Sequence, residues 1–153
     1  MPRALRLAHQ VPGSVVPHLF FTLNQNYCIC FQKVDTNRAW NRSICNEFDE
    51  MATKLGEIPD ETKALVDLQR YLKLSITESL PLLMDRISIA TQRVLFLLDC
   101  TILPTEDIQL NTRVFQWPKD MSSVFELAKI RTGHRRDQVE EDLRRRSFDK
   151  SKI

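Results

Sequence analysis

The sequence predicts an all-α protein, and two observations carry that prediction. Only three of the 153 residues are glycine, and long stretches contain neither glycine nor proline. Beyond about residue 37, apolar residues recur at steps of three and four, the spacing of helices with one buried face. Hydrophobic residues make up 42% of the chain and allow a core. We therefore expect an elongated antiparallel helical bundle of three to four helices with an irregular N-terminal segment.

Residues 1–36 differ in composition from the rest. They contain prolines and strand-forming residues, show no helical period, and include no acidic residue among the first 34. We expect them to be irregular and disordered, with at most a short strand pair over residues 20–31. The lack of acidic residues would also suit a mitochondrial presequence, whereas prolines interrupt any signal-peptide pattern. The helical part is expected to span residues 37–150.

The first two helices are predicted from continuous apolar stripes. The first should run from about Asn37 to Leu55 and end at Gly56. The second should run from Thr62 to Asp99, with Pro81 inside it producing a kink or a short break. Its stripe keeps one register throughout: Leu65, Leu68, Leu72, Ile76, Ser79, Leu83, Ile87, Ala90, Val94 and Leu97.

A structural joint between two further helices is predicted at Phe115, Trp117 and Pro118. The third helix should begin near Thr105 and end at Trp117, because a residue before proline avoids helical angles. Trp117 offers the largest apolar surface near this bend, so we expect it to lie in the core. The alternative is that Trp117 and Phe115 form a hot spot for a partner.

The fourth helix is predicted to begin near Lys119 and to lose its apolar stripe after Ile130. Its second half should project from the bundle or require a partner. Two arginine clusters in this half, at residues 135–136 and 144–146, flank a run of acidic residues that can pair with them along the helix. A solvated helix face is the expected reading, and a nuclear-localisation-like run is the alternative. With a net charge of +2, we predict binding to neither nucleic acid nor a membrane.

Residues that could support chemistry are sparse. The three glycines are far apart, so the sequence contains no glycine-rich phosphate loop. Neither the histidines nor the carboxylates Glu106 and Asp107 form a catalytic or metal-ligand pattern, and helix capping accounts for the two carboxylates. The cysteines are expected to be free thiols, although Cys28 and Cys30 could contribute to a soft-metal site. The four cysteines are Cys28, Cys30, Cys45 and Cys100. We predict no catalytic, cofactor-binding or metal-binding residues in this sequence.

An ordered set of motifs across residues 34–150 resembles dynein heavy chains, most closely the axonemal, inner-arm type. No short motif in the set is diagnostic alone, and specificity comes from their order. The N-terminal 33 residues lie outside the resemblance, as they would if a transcript read through an intron end near residues 27–32. The motifs are Trp40–Asp49, Pro59–Thr62 with Leu65, Leu68 and Tyr71, Phe96–Asp99, Glu106–Ile108, Leu110–Asn111, Phe115-x-Trp117-Pro118 and Arg135–Leu143.

The resemblance implies a place in the helical tail of such a heavy chain, just before the linker. Full-length members of the family are ATP-driven motors that move toward microtubule minus ends in cilia and flagella. A tail segment would itself be a non-catalytic spacer without a cofactor. The implied partners are dynein intermediate and light chains, and the implied location is the cytoplasm, cytoskeleton and ciliary axoneme. The alternative is a spectrin-like helical adaptor or scaffold unrelated to motors.

Overall fold

The protein is a bundle of long helices, as seen in a computed structural model that describes residues 15–150, with side chains described for residues 29–148. Helix α1 spans Val15–Gly56, α2 spans Thr62–Leu74, α3 spans Leu80–Cys100 and α4 spans Thr105–Lys150. A π-helical turn, Ser75–Ser79, connects α2 directly to α3, so these two form one rod. The predicted all-α bundle is confirmed, and the described residues include no strand.

Three long rods build the bundle in an up-down-up arrangement. Helices α1 and α4 run in the same direction. The α2–α3 rod, which connects them in the chain, runs in the opposite direction. Helix α1 contacts both α4 and α3, while α2 contacts α4. At 46 residues, α4 is about 69 Å long at the rise of an α-helix. The main core consists of Ile44, Cys45, Phe48, Met51, Leu55, Leu68, Leu72, Leu83, Ile87, Ala90, Val114, Trp117, Met121, Phe125 and Ala128.

Helix α1 begins earlier than the sequence pattern predicts. It starts at Val15 rather than near Asn37, so residues 15–36 are helical and not irregular, and the strand pair at residues 20–31 is absent. Proline is compatible with this start because Pro17 lies in the first turn, where its missing N–H is not needed. Val34 is buried with Val94, Leu97 and Leu103 in a second, smaller core cluster. The prediction for residues 1–14 lies outside the described residues.

The π-helical turn lies where Pro81 was expected to disturb the second helix. A proline cannot donate to the carbonyl four residues earlier, and its ring crowds that carbonyl. Widening the preceding turn relieves this crowding, and the Leu80 N–H bonds to the Ser75 carbonyl five residues back. The chain therefore continues without a break. The extra residue also changes which side chains face inward: Ser75 is fully buried, whereas Ile76 is half-buried.

The predicted break at Trp117 and Pro118 is wrong, because α4 passes through both residues as one helix. Pro118 leaves the Val114 carbonyl without its usual intrahelical donor. Val114, Trp117 and Met121 are all buried on the same face of α4, at 0–4% exposure. Packing on both sides of the proline holds the helix together, so the local cost of proline is overridden. The predicted third and fourth helices are therefore one continuous helix, α4.

The C-terminal part of α4 leaves the bundle, as the thinning of its apolar stripe predicts. Thr132 is its last buried residue, and all residues from 140 to 148 are exposed. Arg135 still reaches Asp60 beside the start of α2, at 3.4 Å. Intrahelical ion pairs decorate the rest, for example Arg145 with Glu141 at 3.2 Å. We call residues 137–148 the projecting segment.

Candidate functional site

The predicted joint residues lie at the centre of the bundle instead of at a bend. Trp117 is 4% exposed, and its ring stacks on Phe48 of α1 with centroids 5.3 Å apart and planes 14° from parallel. The Arg113 guanidinium covers the indole at 3.7 Å. The prediction that Trp117 belongs to the core is confirmed. Phe115 is 41% exposed and points away from this contact, and Pro118 is half-buried.

Cys45 completes this aromatic cluster. Burial raises the pKa of its thiol, while the indole N–H of Trp117 and the positive charge of Arg113 partly oppose that increase. The thiol is therefore protonated at neutral pH and behaves as a small apolar group. Within the described residues, the Trp117 Nε1 atom has no hydrogen bond of ordinary geometry. The cluster is an apolar stack under a guanidinium, a common core arrangement that fixes one helix on another.

A layer of buried asparagines lies between the aromatic cluster and the start of α4. Asn41 donates from Nδ2 to Oδ1 of Asn111 at 2.8 Å, and Asn37 donates to the same oxygen at 3.4 Å. Asn111 in turn donates from Nδ2 to the Asp107 carbonyl at 2.7 Å. All three asparagines are at most 4% exposed. The Oδ1 atoms of Asn37 and Asn41 have no hydrogen-bond partner among the described residues. Sliding the helices would also leave the buried Nδ2 groups of Asn37 and Asn41 unpaired, so the network favours one alignment of α1 and α4.

An ion pair closes the end of this layer. Arg38 donates from Nε and Nη2 to the two carboxylate oxygens of Asp107, each at 2.7 Å, and it also contacts Asp35 at 3.1 Å. The hydrogen bonds from Arg38 hold the pKa of the Asp107 carboxyl below its usual value, against the opposing effect of burial. Asp107 also lies in the first turn of α4, where the helix dipole favours a negative charge. The pair is bidentate and charge-assisted, which is the stronger class of hydrogen bond.

These contacts keep α1 and α4 in a single register over several turns. The pairs Arg38–Asp107 and Asn41–Asn111 join residues 69 and 70 positions apart, and Phe48 stacks on Trp117 at the same spacing. From the first pair to the last, α1 advances about 15 Å. Sliding one helix along the other would break the ion pair, the amide network and the stack together. We call this set of three levels the α1–α4 ladder.

On the other side of α1, Trp40 fixes the α2–α3 rod. Its indole N–H donates to the Arg86 carbonyl at 3.2 Å, and the Arg86 and Arg93 guanidinium groups lie over its ring at 5.1 and 4.4 Å. Arg86 also forms an ion pair with Glu47 and donates a hydrogen bond to the Ser43 hydroxyl at 2.9 Å. Trp40 is half-buried, so these cation–π contacts are partly shielded from water.

Sequence reasoning found part of this site and missed the rest. Glu106 and Asp107 were assigned to capping alone; Glu106 is exposed, whereas Asp107 is 3% exposed and holds Arg38. Arg38 was not singled out, because no local signal reveals a partner 69 residues away. A polar residue at an apolar-stripe position was the available clue: Asn41 and Asn111 both occupy inward positions of their helices.

The described part of the chain offers helix-locking contacts as its organised features. Among the side chains described for residues 29–148, no group of three or more potential metal ligands comes together. No helix in the described part of the chain is both long and apolar enough to cross a bilayer. The grooves on the described surface are open depressions, for example one of about 380 Å³ between α1 and α3 that is lined by Lys33, Phe96 and Leu97. Fold and site together define an all-α bundle in which the described polar and aromatic contacts join helices to one another.

Comparison with known proteins specifies that bundle further. The chain is 37% identical to the mouse protein "Dynein axonemal heavy chain 3" over 114 residues, which is 74% of the chain and 2% of the relative. It is 34% identical to the human protein of the same name over 122 residues, or 80% of the chain. The human protein "Dynein axonemal heavy chain 12" is 29% identical over 89 residues, or 58% of the chain. No protein-family model and no solved structure matches.

Homologues of this chain are thus axonemal dynein heavy chains, and the chain resembles a fragment of one. It spans about 2–3% of the length of the relatives it matches. The predicted resemblance to an axonemal heavy chain is confirmed at this level. The inner-arm type and the position in the tail stay predictions.

Proposed function

We propose that this chain is a non-catalytic mechanical spacer from the helical tail of an inner-arm axonemal dynein heavy chain, next to the linker. The observation that carries the proposal is the similarity to heavy chain 3, which extends over 114 residues, or 74% of the chain. Similarity on that scale includes exposed as well as buried positions, whereas a generic bundle would share only its apolar period.

The α1–α4 ladder supports a mechanical role for the segment. A spacer transmits force only if its helices do not slide past one another. Here an ion pair, an amide network and an aromatic stack all hold the same register between two parallel helices. Trp40 of α1 holds the α2–α3 rod through Arg86 and Arg93 of α3. Under this proposal the contact residues position helices, and the joint predicted at Phe115–Pro118 is a rigid stretch of one helix.

The proposal extends to setting and partners. A heavy-chain tail segment would act in the ciliary axoneme, within the cytoskeleton, and would assemble near dynein intermediate and light chains. ATP-driven, minus-end-directed movement on microtubules would belong to the full-length motor and not to this segment. We propose no cofactor and no contact with nucleic acid or membrane.

A segment exchange tests the identity of the fragment. The matching 114 residues of mouse heavy chain 3 would be replaced by the corresponding part of this chain, in ciliated cells that lack the endogenous protein. We expect the chimera to enter the axoneme at close to the wild-type level. A length-matched three-helix segment from an unrelated spectrin-type protein serves as control. Equal failure of both chimeras would reject the tail assignment and favour the unrelated helical adaptor.

Calorimetry tests the non-catalytic part of the proposal separately. Titration of Mg-ATP into the purified chain should give no saturable heat, because the sequence has no phosphate loop. Saturable binding in the micromolar range would overturn this part of the proposal even if the chimera entered the axoneme.

A further inference from the structure

Two cysteines that are far apart in sequence meet at one end of the bundle. Helices α1 and α3 are antiparallel, and the Lys33 ammonium of α1 lies 4.2 Å from the centre of the Phe96 ring of α3. Cys30 is about one turn before Lys33, and Cys100 is about one turn after Phe96. In antiparallel helices those two steps lead toward the same level. The fold therefore places Cys30 opposite Cys100.

The two side chains are close enough to interact directly. The Cys30 thiol is near enough to raise the pKa of the Cys100 thiol, and both cysteines are free. Cys30 is half-buried and Cys100 is exposed, so a small molecule can reach the pair from solvent. Neither residue belongs to the α1–α4 ladder. A reaction of these two cysteines would leave the contacts between α1 and α4 undisturbed.

We propose that Cys30 and Cys100 are a reversible dithiol–disulfide site that reacts with a small-molecule disulfide of the glutathione class. A thiolate of one cysteine attacks the small disulfide, forms a mixed disulfide and releases one small thiol. The second cysteine then attacks the protein sulfur of that mixed disulfide and releases the second small thiol. The protein loses two hydrogens, the small disulfide is reduced to two thiols, and no other oxidant is needed.

The surroundings of Cys100 set how the exchange responds to pH. Partial loss of hydration at this helix contact, the neighbouring Cys30 thiol and the Asp99 carboxylate raise the pKa of Cys100, and Lys33 only partly opposes them. Because the thiolate is the reactive form, exchange should become faster as the pH rises through the range above neutrality. The site would respond slowly to mild oxidation and reverse when thiols are in excess.

Closure of this disulfide would join α1 to the last residue of α3. The bond would link residues 70 positions apart in sequence and would restrict the unfolded chain, so oxidation should stabilise the bundle. The sequence contains its own comparison, since Cys45 is buried in the core beside Trp117 and should not react in the folded state. This inference concerns the chain itself and does not depend on the proposed motor context.

The test is equilibration of the full chain in buffers of defined reduced and oxidised glutathione, followed by mass analysis. Trypsin leaves Cys28 and Cys30 on one peptide, so the experiment uses a Cys28→Ser background. We expect a loss of about 2 Da, with Cys30 linked to Cys100, and a rise in the unfolding midpoint of roughly 5–15 °C. Under the same conditions Cys45 should stay unmodified.

Two variants make the outcome decisive. Cys30→Ser should leave a stable glutathione adduct on Cys100 and abolish the gain in unfolding midpoint, while Cys45→Ser should leave both results unchanged. A persistent glutathione adduct on Cys100 in the Cys28→Ser background would overturn the proposal, because it would show that Cys30 cannot resolve it. A disulfide of either cysteine with Cys45 would overturn it as well.

Discussion

The two ends of α4 have the same backbone conformation and opposite surroundings. From Thr105 to Thr132 the helix is held by buried residues at nearly every turn, and it contains a proline without breaking. In the projecting segment every residue from 140 to 148 is exposed, and ion pairs are intrahelical. Tertiary packing thus maintains the first part, while helix propensity and charge pairing maintain the second. Mutations should have large effects in the first part and small effects in the second.

The largest effect is expected from removing the stacked indole. Trp117→Ala leaves a cavity against Phe48 and should lower the free energy of unfolding by about 3–5 kcal/mol. Chemical denaturation of wild type and variant measures the difference. Phe115→Ala is the matched control two residues away, and its exposed ring should contribute less than about 1 kcal/mol. Equal costs for the two variants would contradict the assignment of Trp117 to the core.

An intermediate effect is expected from the ion pair at the start of the packed part. Asp107→Asn removes the charge that accepts two hydrogen bonds from Arg38 and should cost about 1.5–3 kcal/mol at neutral pH. Glu106→Gln, its exposed neighbour, is the control and should change stability by less than about 0.5 kcal/mol.

The same pair should make stability depend on pH in the acid range. The folded-state pKa of Asp107 is lowered, so its contribution is complete above the unfolded-state pKa and is lost as the pH falls through the lower folded-state value. Between pH 7 and pH 3, wild type should therefore lose more stability than Asp107→Asn. Parallel pH curves for the two proteins would show that the pair does not form in solution.

A smaller effect, of opposite sign, is expected in the π-helical turn. Ser75 is fully buried, and its hydroxyl has no hydrogen-bond partner among the described residues. Ser75→Ala removes that buried polar group and should stabilise the bundle by up to about 1 kcal/mol. Thr77→Ala is the control, because the Thr77 hydroxyl is exposed and already bonded to the Lys73 carbonyl. Destabilisation by Ser75→Ala would indicate a partner for this hydroxyl in solution.

The smallest effect on the free energy of unfolding is expected from deleting the projecting segment. Deleting residues 137–153 removes no buried side chain from the described range and should change the unfolding free energy by less than about 0.5 kcal/mol. Deleting everything after Asp120 instead removes Met121, Phe125 and Ala128 from the core and should abolish cooperative unfolding. A large loss from the shorter deletion would mean that the projecting segment packs on the bundle.

How much of this was predictable differs from feature to feature. Apolar periodicity identified the helices, and the size and position of Trp117 placed it in the core. The thinning stripe identified the projecting segment. These are local signals, and they succeed because burial of one face is what makes a marginal helix stable.

The errors came from rules that packing can override. A proline disfavours helix locally, yet α4 continues through Pro118, where buried residues lie on both sides of the proline. The pairing of Arg38 with Asp107 could not be read from either residue, because it depends on how two helices align over 69 positions. The start of α1 at Val15 was missed because that stretch lacks the amphipathic period on which the prediction relied.

The π-helical turn accommodates one extra residue in the α2–α3 rod. An α-helix rotates about 100° per residue, whereas the π turn contains one additional residue and leaves the facing direction of the following residues unchanged. Deleting one exposed residue of the π-helical turn, such as Glu78, would convert that turn into ordinary α-helix. Leu83 and Ile87 would still face inward. Loss of one residue in the middle of α3, such as Gln92, would swing Val94 and Leu97 away from their core. Retained cooperative melting in the first deletion but not the second would show that this rod tolerates a change of length at one place along it.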